Sequence, residues 1–89
     1  MTSRTTERFR KSLRGLPDNI QHKAKKVYKV WKDDPYRKSL RFKQVHPNEP
    51  IYSVRITLGW RAVGVREGEQ MVWFWIGSHA DYDKLISQI

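Results

Sequence analysis

The apolar positions of this 89-residue chain change period about half-way along it. Up to Lys32 they recur every three or four residues, the spacing of one helical face. Phe9, Leu13 and Leu16 mark a first helix of roughly ten residues. Thr5 or Thr6 can cap it, because a hydroxyl there accepts from the free N–H groups of the first turn. Gly15 and Pro17 break the pattern, and Pro17 suits the first turn of a new helix, where the N–H it lacks has no partner anyway. Ile20, Ala24, Val27 and Trp31 form the apolar stripe of a second helix over residues 17–32. Lys23, Lys25, Lys26, Lys29 and Lys32 fill much of its other surface. Asp33-Asp34-Pro35 ends it, since a residue before proline avoids helical angles.

From Leu40 the period is two. Residues 40–45 alternate, with Leu40, Phe42 and Gln44 on one side and Arg41, Lys43 and Val45 on the other. His46-Pro47-Asn48-Glu49-Pro50 is turn-forming. Residues 51–57, 60–66 and 70–76 then read as strands joined by Leu58-Gly59 and Glu67-Gly68-Glu69, short links that make an antiparallel meander. Residues 78–89 predict a loop and a short terminal helix with Tyr82, Leu85, Ile86 and Ile89 as its apolar side. The order α-α-β-β-β-β-α predicts a single α+β domain over residues 1–89, a helical hairpin packed on one face of a twisted, mainly antiparallel sheet of about four strands.

Composition narrows the chemistry. The chain has no cysteine, which removes disulfides, thiolate ligands and cysteine nucleophiles. His22, His46 and His79 lie far apart with no carboxylate cluster beside them, so no metal site or cofactor is expected. Residues 71–76 are the longest apolar run, too short to cross a bilayer. Residues 1–10 lack the apolar stretch of a secretion signal, so a cytoplasmic location is expected. Residues 1–46 carry 14 basic and 4 acidic side chains, whereas residues 47–89 carry 4 and 5. Positive charge concentrated in half of a small domain points to a polyanionic partner, nucleic acid or an acidic protein segment; a solvated basic surface is the bland alternative.

Three segments together resemble the toxins of the RelE/ParE superfamily. They are Leu40-Arg41-Phe42-Lys43, then Tyr52-Ser53-Val54-Arg55-Ile56 with Trp60-Arg61 beyond it, and the run from Trp73 through Gly77-Ser78-His79-Ala80-Asp81-Tyr82 to Leu85. The resemblance covers nearly the whole chain, and the last segment is its most specific part. It implies a toxin of a type II toxin–antitoxin pair, closer to the RelE branch, whose members enter the ribosomal A site and cut mRNA without metal. In the ParE branch a similar fold poisons DNA gyrase. The RelE archetype has two lysines where this strand has Ser53 and Arg55. The family also opens with a β-strand, which only residues 1–4 can supply here.

Cutting RNA without metal uses the adjacent 2′-hydroxyl as nucleophile, so the protein must move two protons and neutralise a phosphorane-like transition state. Arginine grips two phosphate oxygens and keeps its charge; histidine titrates near neutrality. Arg55 shares a polar strand face with Ser53 and Thr57, opposite Tyr52, Val54 and Ile56; an ordinary exposed strand residue is its alternative role. Alternation puts Arg61 with Val63 and Val65, away from Ala62 and Gly64. The resemblance implies that Arg61 faces an open groove while Ala62 and Gly64 lie beneath the helices, with Tyr28 and Trp31 filling the space. His79 follows the last strand and Tyr82 stands one helical turn on, within mutual reach; a capping role for His79 and a packing role for Tyr82 are the alternatives. Arg55, Arg61, His79 and Tyr82 are thus the expected catalytic residues, and Arg41 and Lys43 the expected RNA-backbone contacts.

Trp73 and Trp75 share one strand face by simple alternation, opposite Val72, Phe74 and Ile76. If the latter are core, both tryptophans face outward and suit a partner surface. A cognate antitoxin is the expected occupant, with unpaired bases or the terminal helix as alternatives. The functional expectation is a metal-independent, ribosome-dependent mRNA endonuclease with ribosome, mRNA and antitoxin as partners. Alternatives are a ParE-type gyrase poison and a non-catalytic basic nucleic-acid-binding module.

Overall fold

The computed structural model describes residues 1–89. The elements are β1 (Thr2–Thr5), α1 (Glu7–Arg14), α2 (Asp18–Asp33), a 3-10 turn (Lys38–Leu40), β2 (Lys43–Gln44), β3 (Ile51–Thr57), β4 (Trp60–Glu67), β5 (Gln70–Ser78) and α3 (His79–Gln88). They form one five-stranded sheet in the order β1-β5-β4-β3-β2. β1 runs parallel to β5, and every other pairing is antiparallel. The sheet therefore has one strand more than the sequence pattern predicts. Thr2–Thr5 has no apolar alternation to betray it, because an edge strand needs backbone partners rather than a buried face.

The helical hairpin forms where expected. Thr6 caps α1, its Oγ accepting from the Phe9 N–H at 3.0 Å. Ile20, Ala24, Val27 and Trp31 are the buried residues of α2. Ala24, Val27 and Trp31 meet Val54, Ile56, Ala62, Met71, Trp73 and Ile76 in the core on one face of the sheet. Trp31 is 1% exposed and meets the Trp73 ring edge-on at 5.3 Å. Gly64 lies under that contact: a Cβ there would stand 2.8 Å from the Trp73 ring and 2.9 Å from the Val72 carbonyl. The small residues Ala62 and Gly64 thus do face the helices. Trp73 itself fills most of the space above Gly64.

Two backbone irregularities correct the sequence expectations. In the β4–β5 ladder Val63 pairs with Trp75 but Gly64 pairs with Trp73, so Phe74 is an extra residue in β5. A bulge of this kind reverses the alternation beyond it. Trp73 therefore points into the core, 3% exposed, and Trp75 points to the opposite face, half-buried against Tyr82 at 6.4 Å. The two do not share an outward face, and Trp73 lies at the floor of the space between the hairpin and the sheet rather than on an open surface. The second irregularity is at Arg41, whose φ of 47° is left-handed. It follows the 3-10 turn and leaves a strand of only Lys43 and Gln44 where six alternating residues were expected. Leu40 is buried in the core before the chain reverses.

The other face of the sheet carries α3. Ser78 caps this helix through the Asp81 N–H at 3.2 Å, so it begins at His79 with no intervening loop. Tyr82 is its one buried residue, and the Tyr82 hydroxyl donates to the Ser53 Oγ at 3.1 Å. At the far end of α3, the Ile89 carbonyl lies 2.7 Å from His46 Nε2. The Nδ1 of His46 accepts from the backbone N–H groups of Asn48 and Glu49, so Nε2 carries the proton in the neutral ring. His46 is a staple between the β2–β3 loop and α3.

A candidate nucleic-acid cleavage groove

α3 covers only part of its sheet face, and beside it β2, β3 and β4 leave a cavity of about 280 Å³. Arg41, Lys43, Arg55, Arg61, Ser53 and Tyr82 line it. Four cations thus converge on one concave site, with a phenol and a hydroxyl between them. Each arrives by a local rule. Arg55 and Ser53 are two residues apart on β3 and so share a face. Arg61 is the direct cross-strand partner of Arg55 in the β3–β4 ladder. Lys43 pairs with Ser53 across the β2–β3 edge, and the left-handed turn at Arg41 places that side chain at the same rim.

Like charges directly opposite each other on neighbouring strands oppose folding by about 0.2–1 kcal/mol. Arg61 registers the cost: burial lowers its pKa first, Arg55 lowers it next, and Arg41 adds to the effect, while Tyr82 and Asp83 pull the other way. Its ordinary pKa is so high that it stays a cation. The guanidinium is held by Nη1, which donates to the carbonyls of Thr57 at 2.5 Å, Trp60 at 3.0 Å and Leu58 at 3.2 Å. Those three acceptors belong to the β3–β4 turn, so they fix the fork and leave its other N–H donors for the cavity. A fixed, partly desolvated arginine pair gains most from an anion bound between its members.

His79 does not line this cavity. It opens α3, with its ring 5.9 Å from that of Tyr82 and its Nδ1 3.3 Å from the Asp83 carboxylate. The structure therefore joins five of the six expected catalytic and RNA-contact residues in one groove and sets His79 at its margin, one helical turn from Tyr82. It also supplies two residues that sequence reasoning gave no role. Ser53 is the buried polar side chain that anchors Tyr82, and Asp83 holds His79. The Ser53 signal lay in its place on the face of Arg55; the Asp83 signal lay in the i, i+4 spacing from His79. Trp60, at the start of β4, is half-buried and packs on the core.

A second cleft of about 460 Å³ lies between the helical hairpin and the sheet. Its walls are apolar, with Phe9, Leu13, Tyr28 and Trp31 among them, and Arg4, Lys25 and Lys29 stand among its lining residues. Its polar groups include cations and a phenol at the margin of an apolar wall, with no carboxylate or histidine among them, so it suits binding rather than chemistry.

Residues 18–84 match the model of the ParE-like toxin domain. The chain belongs to the ParE-like toxin family. This ParE-like toxin domain has the RelE-like fold, shared with solved structures of low sequence identity. A chain of the RelB–RelE antitoxin–toxin complex from Methanococcus jannaschii superposes with a TM-score of 0.72 at 13% identity, covering 91% of this chain and 95% of that one. YafQ from Escherichia coli BL21(DE3) gives 0.71 at 9% identity, covering 90% and 94%. The isolated Escherichia coli RelE toxin gives 0.63 at 17% identity, covering 98% and 96%. No curated protein sequence matches the chain. No helix is long and apolar enough to cross a membrane.

Proposed function

We propose that this toxin cleaves mRNA on the ribosome, with the scissile phosphate seated between Arg55 and Arg61. The pair carries the proposal: two arginines opposed across β3 and β4 repel each other at rest and are relieved by a phosphate. In the reaction the 2′-oxygen attacks phosphorus and loses its proton. The 5′-oxygen departs and gains one, leaving a 2′,3′-cyclic phosphate and a 5′-hydroxyl. Arg55 and Arg61 stabilise the charge that builds on the non-bridging oxygens. Tyr82, held by Ser53, stands at the cavity to hand on a proton. His79 presents Nε2, its Nδ1 being engaged by Asp83, as the second proton-transfer group. Arg41 and Lys43 hold the flanking backbone.

A partner antitoxin completes the system. Two of the solved structures that share the fold are antitoxin–toxin complexes, and the cleft beside the hairpin fits an acidic segment with a few large apolar residues. Such a segment folds as it binds, and its acidic groups meet Arg4, Lys25 and Lys29. This placement replaces the tryptophan face, which the bulge at Phe74 abolishes. Gyrase poisoning is the second reading, favoured by the ParE-like description of the matching domain.

Mapping mRNA 5′ ends after induction in cells separates the two. Codon-phased breaks with no SOS response are expected. DNA breakage with SOS induction and intact mRNA would transfer the function to the gyrase reading.

A further inference from the structure

The groove opens onto a second, chemically different surface that the cleavage proposal does not use. β2 is the outer strand of the sheet, two residues long and exposed on both. Lys43 points to the groove side with Ser53, whereas Phe42 points to the helix side. There Phe42 stacks on Tyr52 with centroids 4.9 Å apart and planes 25° from parallel. Tyr36 packs on the same ring at 6.0 Å. Tyr36 is nonetheless 66% exposed, which leaves most of its ring open to solvent. The Arg66 guanidinium lies 6.0 Å from the Tyr52 centroid, and the phenols of Tyr36 and Tyr52 raise its pKa. Its side chain donates to the Gly68 carbonyl at 2.9 Å and meets Glu69 at 3.6 Å.

An exposed aromatic ring backed by two half-buried ones, with Arg66 against them and Arg37 and Lys38 following Tyr36 in sequence, is what an unpaired base binds, since every base has a π-face and every nucleotide a phosphate. Asp34 is close by, but its carboxylate is occupied with the Tyr36 N–H at 3.1 Å. From Arg55 to Tyr52 is three residues along β3, about 10 Å of backbone. The two side chains project from opposite faces, so an RNA strand must turn around the β2 edge to reach both, a path of several nucleotides. Nothing flanks β2, so a strand leaving the groove over Lys43 reaches Phe42 and Tyr36 by crossing a single exposed edge.

We propose that Tyr36, backed by Phe42 and Tyr52 and flanked by Arg66, is a stacking platform for an unpaired RNA base several nucleotides from the scissile phosphate. This rests on the reading of the groove as an RNA site and adds a subsite to it. The site distinguishes a base from its absence more than one base from another, because stacking is sequence-tolerant.

The test is equilibrium binding of a fluorescent, fully 2′-O-methylated single-stranded RNA, which cannot be cleaved, to the full chain. Tyr36→Ala is expected to weaken binding about tenfold, within the range for one stacked base, with an unchanged salt slope because no phosphate contact is lost. Tyr36→Trp is expected to restore it. An abasic site at one position of the RNA is expected to weaken binding to the native chain as much, and to add nothing to Tyr36→Ala. Arg61→Ala reports separately on the groove, weakening binding and lowering the salt slope by about one phosphate. If Arg61→Ala weakens binding and Tyr36→Ala does not, the platform is refuted and the groove stands. If neither does, both are refuted. If Tyr36→Ala leaves RNA binding intact but weakens antitoxin binding, the ring is a protein contact and the platform is refuted.

Discussion

Replacing Trp73 with alanine should unfold more of this toxin's stability than any change in the groove. The side chain is 3% exposed; it meets Trp31 edge-on at 5.3 Å and Phe42 at 6.3 Å, and its ring covers Gly64. Its removal loses the transfer free energy of a whole indole and opens a cavity that the rigid sheet beneath cannot close. Tryptophan and phenylalanine truncations in such cores cost about 3–5 kcal/mol. A domain of this size has a total stability on the order of 5–13 kcal/mol, so about a quarter or more is lost. Each kcal/mol moves the midpoint by about 4–8 °C in domains of this length, which predicts a drop of roughly 12–40 °C. Trp75→Ala is the internal control: it is half-buried against Tyr82 on the other face, and should cost about 1–2 kcal/mol. Thermal unfolding followed by far-ultraviolet circular dichroism reads both. Equal, small shifts in the two variants would mean that the tryptophans share an exposed face and that Phe74 is not a bulge.

Gly64→Ala should destabilise by about 1–3 kcal/mol, because the new methyl meets the Val72 carbonyl, which cannot swing aside, at 2.9 Å. Gly59→Ala, with open space around it, should be neutral within about 0.5 kcal/mol when both variants are unfolded in urea; equal effects would contradict the packing of Trp73 over Gly64. Arg55→Ala should leave stability unchanged or raise it by up to about 1 kcal/mol, since it removes a like-charge pair, while abolishing most toxicity. A clear loss of stability in that variant would show that Arg55 is a structural residue. Antitoxin association should slow as salt rises, because the basic hairpin steers an acidic partner; a stopped-flow rate indifferent to salt would remove that steering.

The helices and the meander were legible because their apolar residues repeat at 3.6 and 2, and the caps at Thr6 and Pro17 follow from single residues. β3 spans the predicted residues 51–57. The placement of Ala62 and Gly64 under the helices followed from the resemblance rather than from alternation, and Trp73 and Met71, not Tyr28, lie against Gly64. What a single strand cannot reveal is a mismatch in pairing. The extra residue at Phe74 exists only relative to β4, so alternation along β5 alone put Trp73 on the wrong face. Arg41 is similar: a left-handed non-glycine residue has no sequence signature, and it shortened β2. β1 was left open, raised only by the resemblance, because four residues held by backbone pairing show no apolar pattern. In the groove, the cations were legible as a face of β3 and as the resemblance implied for Arg61. The Tyr82–Ser53 bond was not, because it joins residues 29 apart on different elements.

The most direct test of the cleavage mechanism is single-turnover cleavage of an mRNA seated in the A site of a purified ribosome, with and without one 2′-deoxynucleotide at the scissile position. The native toxin should cut the all-ribose mRNA to a 2′,3′-cyclic phosphate and a 5′-hydroxyl, and should leave the deoxy-substituted mRNA intact at that position. Arg61→Ala should remain folded and antitoxin-binding yet slow the cut by roughly 100-fold, the loss of about 3 kcal/mol of transition-state stabilisation. Intact all-ribose mRNA in the presence of folded native toxin, or equal cutting of the deoxy substrate, would contradict the account.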